Sequence, residues 1–147
     1  MRISLSKVIP APTQRIWDVI SDIKNADKNI SGIQSIEVMH QPADGVIGLK
    51  WKETRTFFGK EATETMWITD AENGKWYQTR AESHGAVYIS RLSLEANSTG
   101  SLLTFSFTSQ PVTVGAKILS VMSFMFKGSL KKVMQQDLED IALASTK

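Results

Sequence analysis

The sequence predicts an α+β fold: a seven-stranded antiparallel sheet wrapped around one long C-terminal helix, with two short helices after strand 1. Three observations carry this. Six short strand-like runs follow one another with turn signals between them, as in an antiparallel meander. One strand and a helical pattern precede them. After them the spacing of apolar residues turns from alternation to helical recurrence and holds almost to the C-terminus.

Ile3 and Leu5 alternate with Ser4 and Ser6, a first strand that must end before Pro10 and Pro12. Pro12 or Thr13 then opens a short helix in which Ile16, Val19, Ile20 and Ile23 recur on one face. The stretch NADKNISG is a polar loop or a broken second helix. The strand-like runs cover 34–40, 48–58, 61–70, 75–84, 86–95 and 101–109. Between them stand ADG at 43–45, a turn at Gly59, ENGK at 72–75, the HG pair at 84–85 and NSTG at 97–100. From about Val114 a stripe of Ile118, Met122, Met125, Ser129, Val133 and Gln136 is flanked by Leu119, Phe126, Leu130 and Ile141. Lys127, Lys131, Lys132, Glu139 and Asp140 fall mostly elsewhere. A helix of about 28 residues is roughly 40 Å long, and only a wide sheet offers it a surface. No repeat, low-complexity segment or linker interrupts residues 1–147, so the expectation is a single domain.

Composition removes several classes of function. A chain that is 41% hydrophobic and 22% charged, with a formal charge of +2, has no basic run to track phosphates, so no nucleic-acid partner is expected. With no cysteine there is no disulfide, no thiolate nucleophile and no cysteine metal site. MRISLSKVIPAPTQ lacks the apolar core of a secretory signal. ILSVMSFMF, at 118–126, is too short to span a bilayer. The expectation is a cytoplasmic protein without stable membrane insertion. His40 and His84 stand alone, and the glycines of DGVIG at 44–48 do not open a helix, so neither a metal centre nor a phosphate loop is indicated. No cofactor is expected.

The middle of the chain, WKETRTFFGKEATETMW at 51–67, reads as a hairpin with charges on its apolar side. Glu53 and Arg55 alternate in step with Trp51 and Phe57, and Glu64 with Met66 and Ile68, so all three charges point inward. A two-residue loop at Gly59-Lys60, with glycine first, pairs Thr56 with Thr63 and Thr54 with Thr65. It also sets Arg55 against Glu64, Glu53 against Met66 and Lys52 against Trp67. The alternative loop, Phe58-Gly59, sets Glu53 against Glu64, and directly opposed like charges disfavour it.

The order of elements is that of the helix-grip fold, and the chain resembles the START/Bet v 1-like (SRPBCC) superfamily, in its polyketide cyclase/dehydrase and lipid-transport branch. APTQRIWDVISDI, GLKWKETRTFFGKEATETM, AESH and MFKGSLKKVMQQDLEDI carry the resemblance, which extends over essentially the whole chain. One departure is ADKNISG, where relatives often have an aromatic near the cavity mouth and this chain has Asn29.

The inward charges read either as a structural ion pair, Arg55 with Glu64 and with Glu53 as a second acceptor, or, in such a fold, as groups facing a cavity rather than a dry core. The two readings are compatible. The same parity turns Trp51, Tyr77, Thr79, Tyr88, Ser90, Phe105 and Phe107 inward, with Met122 and Met125 closing the cavity from the helix. That wall suits a small hydrophobic or amphipathic ligand (a lipid, a polyketide or an aromatic), bound or transported. A second expectation is a cyclase, dehydratase or isomerase in which Glu53 is the acid/base, Arg55 polarises a carbonyl and Glu64 orients the arginine. A third is a partner-binding module with a solid interior, of the stress-response or toxin–antitoxin kind.

Overall fold

Alternation, turn glycines and helical recurrence produce the elements in the expected order. The computed structural model describes residues 1–57, 59–83, 85–111 and 127–147. Its strands are β1 (Arg2–Ile9), β2 (Ile33–His40), β3 (Lys50–Phe57), β4 (Lys60–Glu72), β5 (Trp76–Ser83), β6 (Ala86–Asn97) and β7 (Gly100–Pro111). The helices are α1 (Thr13–Ser21), α2 (Ala26–Asn29) and α3 (Lys127–Ser145), with a 3-10 turn, Ile23–Asn25, between the first two. The expected helical stretch from Val114 to Phe126, with Met122 and Met125, lies outside the described residues.

All seven strands form one antiparallel sheet in the order β1-β7-β6-β5-β4-β3-β2. Strands β2 to β7 are a meander, and β1 pairs with the last of them. The chain must therefore cross from one sheet edge to the other between β1 and β2, and α1, the 3-10 turn and α2 make that crossing. Their apolar faces (Ile16, Trp17, Ile20, Ile23 and Ile30) join Ile9, Leu49, Ile68, Leu103, Leu138 and Ile141 in one buried cluster.

The register of the β3–β4 hairpin differs from the expectation. Glu53 lies opposite Glu64, Thr54 opposite Thr63, Arg55 opposite Ala62 and Phe57 opposite Lys60. The loop is thus 58–59, and Gly59 takes its positive φ of 78° at the second loop position rather than the first. The expected Arg55–Glu64 and Glu53–Met66 pairings do not form. Thr54 and Thr63 share a hydroxyl hydrogen bond of 2.9 Å on the outer face. Trp67 takes Lys50 over its ring at 5.9 Å in place of Lys52. The slip is two residues on the partner strand, so every side chain keeps its face. Within β3, Glu53 is drawn to Arg55 two residues along the strand, while Glu64 gains no such partner among the described residues.

The stripe of α3 is also rotated from the expected one. Met134, Asp137, Leu138, Ile141 and Ala144 are buried, whereas Gln136 is exposed. Asp137 stands three residues after Met134 and four before Ile141, so helical geometry carries it inward with them.

At the other edge, the β6–β7 turn is wedged under the corner between β1 and α1. Ser101 is fully buried, and its hydroxyl donates to the Ala11 carbonyl at 2.7 Å. Gly100, with φ of 147°, lies so close that a Cβ there would stand 2.3 Å from the Ile9 carbonyl oxygen. Gly100→Ala is expected to lower stability by more than about 2 kcal/mol. Gly74→Ala, at φ of 81° but in open space, should lose only about 1 kcal/mol. Urea unfolding of the two variants checks the difference, and equal losses would refute the close-approach argument.

Candidate functional site

Between the inner face of the sheet, the short helices and α3 lies a cavity of about 600 Å³. Its wall is mainly apolar. Val19, Ile20 and Ile23 come from the first helical segment, Met66 and Leu92 from the sheet, and Leu130, Val133, Met134 and Ile141 from α3. Asn29 lines it from α2, at the position where an aromatic was noted as missing.

The inward residues named from parity converge here. Trp51, Glu53, Arg55, Glu64, Tyr77, Thr79, Tyr88, Ser90, Phe105 and Phe107 all line the cavity. They reach it because positions two apart on a strand share a face, and the ladder pairs these residues with inward residues of the next strand, as Trp51 with Met66, Ala81 with Tyr88 and Ser90 with Phe107. Tyr88 and Phe107 are stacked, with ring centroids 5.9 Å apart. The Tyr77 hydroxyl donates to the Ile20 carbonyl at 2.8 Å, so it joins β5 to α1 and offers its ring, rather than its hydroxyl, to the lumen. Burial, with Glu53 adding, raises the Tyr77 phenol well above its ordinary pKa, and burial followed by Glu64 raises Tyr88.

The charged part of the wall is a chain of contacts. The Trp51 indole N–H donates to Glu53 Oε1 at 3.2 Å. Arg55 Nε donates to Glu53 Oε2 at 2.6 Å. The two terminal nitrogens of Arg55 donate in parallel to Asp137 Oδ1 at 3.1 Å and Oδ2 at 2.9 Å. Asp137 was absent from the sequence reading, because an acidic residue in a charged stretch of helix is ordinarily solvated; its spacing from Met134 and Ile141 was the available signal. The arginine is thus oriented by Asp137 and Glu53, and Glu64 takes no part. Glu53 is not the freer carboxylate that the expected register implied.

Burial works against the charge on Arg55, but Glu53 and Asp137 outweigh it and hold the guanidinium above its ordinary pKa. Burial, helped by Glu53 and Asp140, holds the Asp137 carboxyl above its ordinary range despite the arginine. Two parallel N–H donors are nonetheless the geometry of an ionised pair. Gly32 accommodates the arginine: a Cβ there would lie 3.3 Å from one terminal nitrogen. Glu64 is half-buried and makes no hydrogen bond or ion pair among the described residues; it faces Glu53 across the ladder and acts on the phenol of Tyr88. His40 is exposed at the end of β2, and His84 lies outside the described residues. Among the described residues no group of three His, Cys, Asp or Glu side chains is placed to hold a metal, and no helix is long and apolar enough to cross a membrane.

Removing one partner of a buried pair leaves the other charge uncompensated. Asp137→Ala should therefore cost about 3 kcal/mol. The triple change Glu53→Gln, Arg55→Met, Asp137→Leu should recover most of that loss. Denaturant unfolding reads both, and a triple variant as weak as the single one would count against the account.

Tyr77 gives a pH prediction. Its phenol ionises near 10.0 when unfolded and higher when folded. Between those values the folded state holds more protons, so stability is full below pH 10 and falls as pH rises beyond it. Tyr77→Phe should lose about 1 kcal/mol at neutral pH with its hydrogen bond and show a shallower alkaline decline. An unchanged alkaline slope would refute it.

A family profile described as polyketide cyclase/dehydrase and lipid transport matches residues 1–144. No curated protein matches in sequence. Among solved structures, the Zhui aromatase/cyclase from a Streptomyces species superposes with a TM-score of 0.79 at 11% identity, covering 99% of this chain and 93% of that one. The di-domain aromatase/cyclase StfQ of the steffimycin biosynthetic pathway gives 0.81 at 8% identity, covering 99% of this chain and 50% of that one. Ara h 8.0201, a Bet v 1-like protein, gives 0.68 at 18% identity over 99% and 97% of the two chains. At such identities the likenesses establish the helix-grip fold alone. With the profile spanning nearly the whole sequence and the same architecture in the coordinates, the chain belongs to the polyketide cyclase/dehydrase and lipid-transport family.

Proposed function

We propose that this protein binds a small hydrophobic or amphipathic molecule in the cavity between the sheet and α3. The observation that carries this reading is the cavity itself: about 600 Å³ with a mostly apolar wall and one ordered polar cluster, Glu53–Arg55–Asp137. A volume of this size lies within the range of small-molecule pockets, in which a few fixed polar groups orient a largely apolar ligand. A module built to dock a partner on its surface has no need of such an interior.

The cluster also favours a second reading. Ring closure or dehydration of a polyketide-like chain needs a base to take a proton beside a carbonyl and a fixed positive group to hold the developing oxyanion. On this reading Glu53 is the base and Arg55, fixed by Asp137, the positive group; their position side by side on the cavity wall supports it. The aromatase/cyclases on the same fold lend that chemistry support.

Ser90 lies on the inner face between Thr79 and Phe107. Ser90→Phe should fill the lumen, lower affinity for apolar ligands at least about tenfold and leave the thermal transition nearly unchanged. Calorimetric titration with a fluorescent apolar probe, Nile red, measures it, and unchanged affinity with an intact fold would remove the cavity as the site. Turnover is the separate question: the enzymatic reading requires Glu53→Gln to abolish conversion of a polyketide-like ketone while binding persists.

A further inference from the structure

The cavity has an uncompensated electrostatic feature. Glu53 and Glu64 are direct cross-strand partners on the inner face, where opposed side chains have Cβ atoms about 5 Å apart and like charges destabilise the pair. Glu53 is answered by Trp51 and Arg55. Glu64 makes no hydrogen bond or ion pair among the described residues. The positive charge of Arg55 is in turn committed to Glu53 on one side and to both oxygens of Asp137 on the other. Among the described residues, the charged side chains of the wall are three carboxylates, Glu53, Glu64 and Asp137, and one guanidinium, Arg55. With the amino group of Met1, which donates to the Ser109 carbonyl at 3.2 Å, the balance among the described residues is still negative.

An anionic head group entering this lumen meets a guanidinium held by two carboxylates and a further carboxylate beside it. A hydrogen-bond donor meets Glu64, which accepts from nothing among the described residues. We propose that the cavity selects apolar molecules with a donor head group, a protonated amine most strongly, and rejects apolar carboxylates such as fatty acids, with Glu64 as the residue that determines the choice. This rests on the cavity-binding reading above. Occupation of the site by an ammonium group also relieves the Glu53–Glu64 repulsion, so ligand and hairpin stabilise each other.

The test uses three probes of equal chain length, decylamine, decanol and decanoate, as monomers below their aggregation thresholds. Binding is followed by calorimetry and by the tryptophan fluorescence, to which Trp51, buried against the cavity, contributes. Decylamine should bind at least about fivefold more tightly than decanoate, the effect of one close charge pair. Glu64→Gln should remove most of that preference. Glu61→Gln, which deletes the same charge from an exposed position on the outer face, should leave it intact. Decanoate binding as tightly as decylamine, or a preference that survives Glu64→Gln, overturns the head-group inference while the cavity reading stands. If none of the three binds, the cavity reading falls and this inference with it. A preference lost equally in Glu61→Gln would reduce it to the overall charge of the protein.

Discussion

The structure depends on a guanidinium that has been taken out of water. Arg55 projects from the middle of β3 into the interior, where its side chain is 15% exposed. A buried arginine is tolerable only if its fork is filled. Two of its donors are filled by Asp137 on α3 and one by Glu53 on its own strand. The pair thereby fixes which turn of the helix faces the sheet, and at what depth. The neighbouring acids of the same helix extend the clamp: Glu139 accepts from Lys7 on β1 at 3.0 Å, and one oxygen of Asp140 accepts from the backbone N–H and hydroxyl of Ser31, at 2.9 and 2.8 Å, just before β2. Within the stretch DLED, three carboxylates therefore reach the two edges and the interior of the sheet.

That clamp explains how a cavity can persist beneath the helix. Apolar packing alone would draw α3 down until the lumen closed, because the hydrophobic effect has no preferred direction. Directional charge contacts set a spacing instead. Tyr77 does the same on the other side, where its hydroxyl holds β5 to the end of α1 and its ring meets Trp17 edge-on at 6.0 Å. The cavity is what remains between these struts. Its polar wall is consequently part of the support.

Much of this was legible in the sequence, for a geometric reason. Strand alternation assigns each residue to a face, and an even slip between strands preserves the assignment. Glu53, Arg55, Tyr77, Ser90 and Phe107 could therefore be placed on the cavity wall although the β3–β4 register was misjudged. The register itself turned on Gly59, which satisfies a two-residue loop at either position, and on opposed charges. Pairwise charge rules favoured Arg55 against Glu64, since they weigh only residues across the ladder. They have no account of a carboxylate two residues along the same strand, or of an aspartate brought in from a helix more than eighty residues away. Asp137 was illegible for that reason: its partner exists only in three dimensions, while its composition suggested solvent.

The outer face shows what the inner face has been released from. There Thr54 bonds Thr63, Arg80 bonds Glu82 at 2.6 Å, and Arg91 lies over the Trp76 ring at 4.1 Å while bonding Gln78 at 3.1 Å. Each such exposed contact is worth at most about 1 kcal/mol, but Thr54–Thr63 and the contacts of Arg91 tie neighbouring strands, and Arg80–Glu82 braces β5 along its own length, without using an inward side chain. With the ladder secured outside and the helix secured by its acids, the inner positions of β4 to β7 are left with few structural duties. Met66, Thr79, Ser90 and Phe105 can change in size or polarity at the cost of local packing rather than of the fold. Those four positions are therefore the ones at which the wall is separable from stability, whereas Glu53, Arg55, Asp137 and Tyr77 line the cavity and hold the fold at once.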